Sequence, residues 1–336
     1  MVHTDVTPLV KDEGASRERP ARSPVFTRAR LLSLMPIVAM VGLAAALTVA
    51  NPRFIEPRSL VALADSAAPL AMLAAGATVV VMCGGIDLSI ATLASLTSVL
   101  LALWVPALGL GAVPAVVGVA AVAGFVQGTI HVVFRIPSFI VTLGGMTVFS
   151  AAALVISGAS TVPLVDTGAT DWAFTRIGGQ VPSSIVITLL AITVISLVMR
   201  MTPAGRWVAA IGYSEPAARL AGLPVAAVKL TAFTLSGACA GLAGVLLVAR
   251  TFSGAPALAD SLLLPAVAAI VVGGTAITGG HGGVWRTVAG ALIVTMLRVG
   301  LSVVGVDSAY ESILYGTIII AAVALTMDRS KVSTVK

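Results

Sequence analysis

From Leu88 to Phe134 the chain carries no Asp, Glu, Lys or Arg, and the same is true from Ile136 to Val165 and from Leu230 to Ala249. About 20 apolar residues in helical form cross the hydrocarbon core of a bilayer, so runs of this length point to spanning helices in lipid. The rest of the composition agrees: 58% hydrophobic and 10% charged residues, with a mean hydropathy of +1.07. A soluble domain is about 25% charged. Only 5% of the residues are aromatic, while Gly and Ala are abundant, as suits closely packed membrane helices. A membrane β-barrel is excluded by pattern, because its strands alternate in polarity over about 10 residues. The net charge of +6 does not indicate a nucleic-acid partner, because the charges sit in tails and short loops. Cys83 and Cys239 fall inside apolar runs and read as small hydrophobes rather than as a disulfide framework.

The expected fold is therefore an all-α polytopic membrane protein. Gaps between charges and turn formers give ten candidate spans, at 31–50, 60–83, 87–105, 112–134, 138–157, 183–201, 229–249, 261–280, 284–304 and 308–327. A count of eight follows if one glycine-rich pair is re-entrant. Residues 1–30 read as a disordered cytoplasmic tail, 31–327 as the membrane domain, and 328–336 as a cytoplasmic C-terminal tail. With both termini inside, fifteen of the 20 Lys and Arg residues fall on the inner side. Four fall outside (Arg53, Arg58, Arg176, Arg250), and Arg298 lies within a span. Cytoplasmic loops carry such an excess. The loop 158–182, with Asp166, Asp171 and Trp172, is then extracytoplasmic. A weak internal similarity relates Val80-Val81-Met82-Cys83-Gly84-Gly85 to Ile270-Val271-Val272-Gly273-Gly274. Transporters are often built from repeats with broken helices at the substrate level, and Gly84, Gly85, Gly273 and Gly274 are candidates for such breaks.

The loop 202–228 carries the sharpest local signals. Ser214 is a good N-cap, Glu215 stands in the first turn where a carboxylate meets the helix dipole, and Gly222 followed by Pro224 marks the stop. The helix so defined has about two turns, too short to be stable alone in water. It needs a surface, and either lipid headgroups or a partner protein supplies one.

Several motifs here resemble one family. Gly205-Arg206, Ala210-Ile211-Gly212, Ala217-Ala218, Gly222-Leu223 and Lys229 match the coupling segment of ribose-type ABC transporter permeases. Ser236-Gly237-Ala238-Cys239-Ala240-Gly241-Leu242-Ala243-Gly244 is similar to the family's next span. Gly84-Gly85-Ile86-Asp87-Leu88-Ser89 and Gly273-Gly274-Thr275 with Gly279-Gly280 follow the same pattern, and the likeness runs from about residue 60 to 327. Pro216 inside the short helix departs from it. The resemblance implies a membrane subunit of a sugar importer in the bacterial inner membrane. It also implies a separate cytosolic ATPase, an extracytoplasmic substrate-binding protein and a second permease copy. Glu215, Ala217, Ala218, Arg219 and Leu220 would contact the ATPase.

Asp87 is the only acid between Asp65 and Asp166. An ionisable group at membrane depth is costly and needs a partner or water. It is read either as a helix cap or, with Ser89, as part of the substrate path, where free backbone amides would suit a polyhydroxylated ligand. Arg298 either snorkels or pairs with Asp307 or Glu311. His131 and His281 lack companions at metal spacing, no phosphate-binding Gly-Lys-Ser/Thr loop is present, and neither cofactor nor metal is expected. The sequence thus points to a transporter subunit rather than an enzyme. A self-sufficient secondary carrier is the alternative, and for ion coupling it would have only Asp87.

Overall fold

The computed structural model describes residues 25–165, 168, 172, 175–177, 181–303, 305–307 and 310–326, with side chains from residue 37 to 321. The expected tails at 1–24 and 327–336, and Asp166 and Asp171, lie outside the described residues. Met1–Met35 forms a unit by itself, and all packing below belongs to Pro36–Lys336.

Helices dominate: α1 (Val25–Ala50), α2 (Pro57–Met82), α3 (Ile90–Leu108), α4 (Ala112–Phe134), α5 (Ser138–Ser157) and α6 (Ser183–Met201) come first. Then follow α7 (Pro203–Tyr213), α8 (Glu215–Leu220), α9 (Val225–Thr251), α10 (Leu263–Val272), α11 (Val284–Val303) and α12 (Glu311–Thr326). Proline sets several starts. Pro57 and Pro203 occupy first helical positions, where the missing amide has no intrahelical acceptor to lose. Strand content among the described residues is limited to two short antiparallel pairs, Val162–Pro163 with Ser253–Gly254 and Arg176–Ile177 with Val181–Pro182. The first pair ties the end of α5 to the end of α9.

Three expected spans, 112–134, 138–157 and 183–201, coincide with α4, α5 and α6. Helix α1 starts at Val25 rather than residue 31, because helix formers such as Arg28 and Ala29 extend it beyond its apolar run. Among the described residues six stretches are long and apolar enough to span, so length and apolarity do not by themselves confirm a count of about ten; one of the six is the 45 residues Ile90–Phe134, which a tight turn at Gly109–Gly111 divides into α3 and α4. The clearest departure is 261–280. Helix α10 has only 10 residues, and Gly273–Gly283 is not helical.

The centre of the bundle is α9. Without a hydrophobic drive between helices in lipid, close backbone approach supplies the packing, and the glycines of α9 are placed for it. A Cβ on Gly237 would lie 2.2 Å from the Ala120 carbonyl oxygen of α4, and one on Gly124 of α4 would lie 2.2 Å from that of Phe233. Gly241 meets Val117 and Ala120, Gly244 meets Ala94 and Thr97 of α3, and Gly76 of α2 meets Ser236 and Cys239. The Ser236–Gly244 motif is therefore a three-sided packing surface. Around it lie fully buried Met72 and Leu73 of α2, Leu93 and Leu101 of α3, and Phe233 and Leu246 of α9. Cys83 and Cys239 are buried free thiols.

Candidate functional site: a short capped helix joined to two helix breaks

Helix α8 is built from local signals at both ends. Ser214 is its N-cap, with φ −162° and a side-chain oxygen 3.4 Å from the amide of Ala217. At the other end Leu223 N–H donates to Ala218 O and Gly222 N–H to Arg219 O, both at 3.0 Å. This 6→1 and 5→2 pair requires a left-handed residue, and Gly222 has φ +75°. Glu215 anchors the helix. Its carboxylate accepts from Lys229 Nζ of α9 at 2.5 Å and from Arg219 Nη2 at 2.6 Å. Lys229 also reaches His131 Nε2 at 3.2 Å, while His131 Nδ1 donates to Ile136 O at 2.6 Å. A cavity of about 430 Å³ lies among His131, Arg135, Glu215, Arg219 and Lys229. Burial pushes the Glu215 carboxyl up. Hydrogen bonds and positive charge from Lys229 and Arg219 outweigh that and hold it below the usual glutamate range.

The faces of α8 are distinct. Ala218 is 4% exposed and packs into the chain's own interior, whereas Leu220 is 91% exposed. Ala217, Arg219 and Gly222 are exposed as well. The expectation that Ala218 belongs to a partner contact is thus corrected: the Glu215–Lys229 tether turns that side of the helix inward.

Helix α7 carries the link to the rest. A Cβ on Gly212 would lie 1.9 Å from Met82 O at the end of α2 and 2.3 Å from Gly280 N in the segment after α10. Those two atoms are hydrogen-bonded to each other at 3.0 Å. Next to Gly212, the Tyr213 ring covers Gly280 and its hydroxyl bonds the His281 ring. One turn of α7 therefore touches both glycine-rich breaks at once. The breaks are built alike. Gly84 N–H donates to Val81 O and Gly85 N–H to Val80 O, and Gly274 N–H donates to Val271 O and Thr275 N–H to Ile270 O. Gly84 and Gly274 have φ +79° and +80°. The two segments aligned from sequence thus share one helix-ending geometry.

The first break is satisfied internally. Ile86 N–H donates to Ser138 Oγ at 2.9 Å and Leu88 N–H to Thr142 Oγ1 at 3.1 Å. Asp87, 5% exposed, accepts from Ser89 N at 3.0 Å, from Ser89 Oγ at 2.7 Å and, on its other oxygen, from Ser236 Oγ of α9 at 2.7 Å. Ser89 Oγ is also 3.0 Å from Gln127 Oε1. Three of the amides beside Asp87, those of Ile86, Leu88 and Ser89, thus have side-chain partners from α5 and from Asp87 itself. Asp87 forms an Asx turn just ahead of α3 and does not line the cavity beside α8. In the second break, Gly273 and Gly290 bring the backbones of α10 and α11 together, and exposed Gly274 has no atom within 4 Å of a Cβ position. Among the described residues no group of three His, Cys, Asp or Glu side chains is placed to hold a metal. Arg298 pairs with Glu311 at 3.5 Å, one of the two partners expected.

The site is thus a short capped helix, α8, that follows α7, and α7 touches both glycine-rich breaks of an apolar helical bundle. Residues 59–323 match the family described as branched-chain amino acid transport system / permease component. The chain is 34% identical over 305 residues to the ribose import permease protein RbsC of Bacillus subtilis, covering 89% of this chain and 93% of that protein. It is 33% identical to RbsC of Escherichia coli K12 (89% and 94% covered). It is 30% identical to the fructose import permease protein FrcC of Rhizobium meliloti (88% and 85% covered). The chain belongs to the ribose-type sugar ABC transporter permease family.

Proposed function

We propose that this chain is the membrane-spanning subunit of a bacterial inner-membrane importer for a sugar or similar small polar solute. It crosses the bilayer ten times with both termini cytoplasmic. The chain order of α1–α6 and α9–α12 and the bias of basic residues support that count, with α10 and its glycine-rich continuation taken as one crossing. A second permease copy completes the pathway, lipid surrounds it, a separate cytosolic ATPase powers it, and an extracytoplasmic binding protein delivers the solute. The relatives named as ribose and fructose import permeases support the solute class.

The observation that carries this reading is α8. It is capped at both ends, anchored by Glu215 to α9, and presents Leu220 at 91% exposure. Movement of α8 reaches α7 through Ser214, and through Gly212 it reaches the ends of α2 and of the second break. The test is Leu220→Asp in the complex purified with its ATPase. Loss of ATPase co-elution, with the membrane subunit at normal abundance, is expected. Full association and unchanged stimulated hydrolysis would assign α8 to the headgroup layer instead.

A further inference from the structure

The cavity of about 430 Å³ beside α8 lies where α4 ends and α9 begins, and its lining is mostly charged. His131, Val132, Arg135, Glu215, Arg219 and Lys229 border it. The volume falls in the range of small-molecule sites. Three cations face one carboxylate there, an excess of two positive charges. His131 adds none. Its Nε2 accepts from the Lys229 ammonium while its Nδ1 donates to Ile136 O, as only a neutral ring does.

The hydrogen bonds inside the cluster occupy the carboxylate and leave donors over. Glu215 Oε1 accepts from Arg219 Nε at 3.1 Å and from Arg219 Nη2 at 2.6 Å, and Oε2 accepts from Lys229 Nζ at 2.5 Å. Arg219 therefore has three of its five N–H groups unused, and Lys229 one of its three. Arg135 has all five, for its side chain makes no hydrogen bond or ion pair among the described residues. Arg135 also stands where its backbone does not favour it. It is the C-cap of α4, with φ +56°, a conformation disfavoured for a residue with a Cβ. Glycine or asparagine serves such a cap at lower cost, so the turn alone does not account for an arginine.

Unused N–H forks with two positive charges in excess suit a dianion. Guanidinium groups take phosphate oxygens in pairs, and a phosphomonoester carries about two negative charges at neutral pH. A carboxylate monoanion would balance only one of the two charges, and an uncharged solute neither.

We propose that this cavity binds a phosphomonoester, its phosphate held by Arg135, Arg219 and the remaining Lys229 proton. The bound group joins the end of α4 to α8, a second tie beside the Glu215–Lys229 pair. The same chemistry comes from two sources, a soluble phosphomonoester or the headgroup of phosphatidic acid. The site stands on the cavity's own groups and needs no ATPase.

The test uses the full chain in nanodiscs of phosphatidylcholine, alone or with added phosphatidic acid. Physiological salt screens long-range attraction between exposed charges. Glycerol 3-phosphate, lactate and glycerol are titrated in by calorimetry. In phosphatidylcholine, glycerol 3-phosphate is expected to saturate a single site. Lactate binds at least about tenfold more weakly, and Arg135→Gln or Arg219→Gln weakens glycerol 3-phosphate by about tenfold or more, the worth of a charge-assisted hydrogen bond. Glycerol does not bind, and Arg200→Gln, in the last turn of α6, changes nothing. With phosphatidic acid present, an unchanged affinity assigns the site to soluble phosphomonoesters, and a drop that Arg135→Gln abolishes assigns it to the lipid headgroup. No saturable binding, equal binding of lactate, or an affinity that both arginine variants at the cavity leave unshifted overturns the proposal.

Discussion

Replacing Gly212 with Ala tests the joint between α7 and the two breaks. The new Cβ would stand 1.9 Å from Met82 O and 2.3 Å from Gly280 N, both main-chain atoms. A carbon-to-oxygen contact needs about 3.3 Å, so α7 must retreat by about 1.4 Å, or the Gly280–Met82 hydrogen bond must open. Overpacking costs about 1–3 kcal/mol, and the weakened hydrogen bond adds about 1 kcal/mol. Together these shift the balance between joined and parted states by a factor of roughly 30 to 900. The exposed face of α8 is unchanged, so the ATPase still co-elutes. Solute uptake in proteoliposomes carrying the whole complex falls at least about tenfold. Gly222→Ala is the control. It has no atom within 4 Å of the new methyl and carries only the strain of a positive φ, about 1 kcal/mol. Wild-type uptake by Gly212→Ala at equal abundance would refute the idea that this contact transmits motion.

Two further outcomes follow from the same geometry. The Glu215 carboxyl is held below its ordinary range, so its contribution to anchoring α8 is present above the unfolded glutamate value and is lost only as pH falls through the lower folded one. Trp207 fluorescence, reporting on α7, should therefore stay native as pH drops through the ordinary glutamate range and change only below it, and a transition above that range would count against the tether. Asp87→Ala strands two donors, Ser89 N and Ser236 Oγ, while Ser89 Oγ keeps Gln127 Oε1 as acceptor, at about 1–3 kcal/mol for each donor left unpaired. A large drop in thermal stability in detergent is expected, with Asp87→Asn intermediate; a stable Asp87→Ala protein that no longer transports would instead place Asp87 on the solute path.

What the sequence showed and hid divides by distance along the chain. Ser214 and Gly222 cap a helix through partners within five residues, and both ends of α8 were readable from residue type. Helices α4, α5 and α6 were bounded by Arg135, the C-cap of α4, and by Pro137 and Pro182, the residues just before α5 and α6. The stretch 261–280 misled because its apolar content is that of a span, while its glycines cut the helix at Val272. The inward turn of Ala218 depends on Lys229 meeting Glu215, and the enclosure of Asp87 depends on Ser236 of α9, 149 residues away. No local pattern announces either. Arg298 was legible only as a charge requiring a partner, with Glu311 the one it meets.

The central place of α9 has a consequence for biosynthesis. Its glycine surfaces receive α2, α3 and α4, yet it begins about ninety residues after α4 ends. At 5–20 residues per second, that is a delay of about 5–20 s. During it, Gly76 and Gly124 face lipid or the insertion machinery, and one oxygen of Asp87 awaits Ser236. The early helices enter the bilayer as an unfinished set, and a ribosome stalled before Val225 would leave a fragment with its inner faces uncovered, the form that membrane quality control is placed to remove.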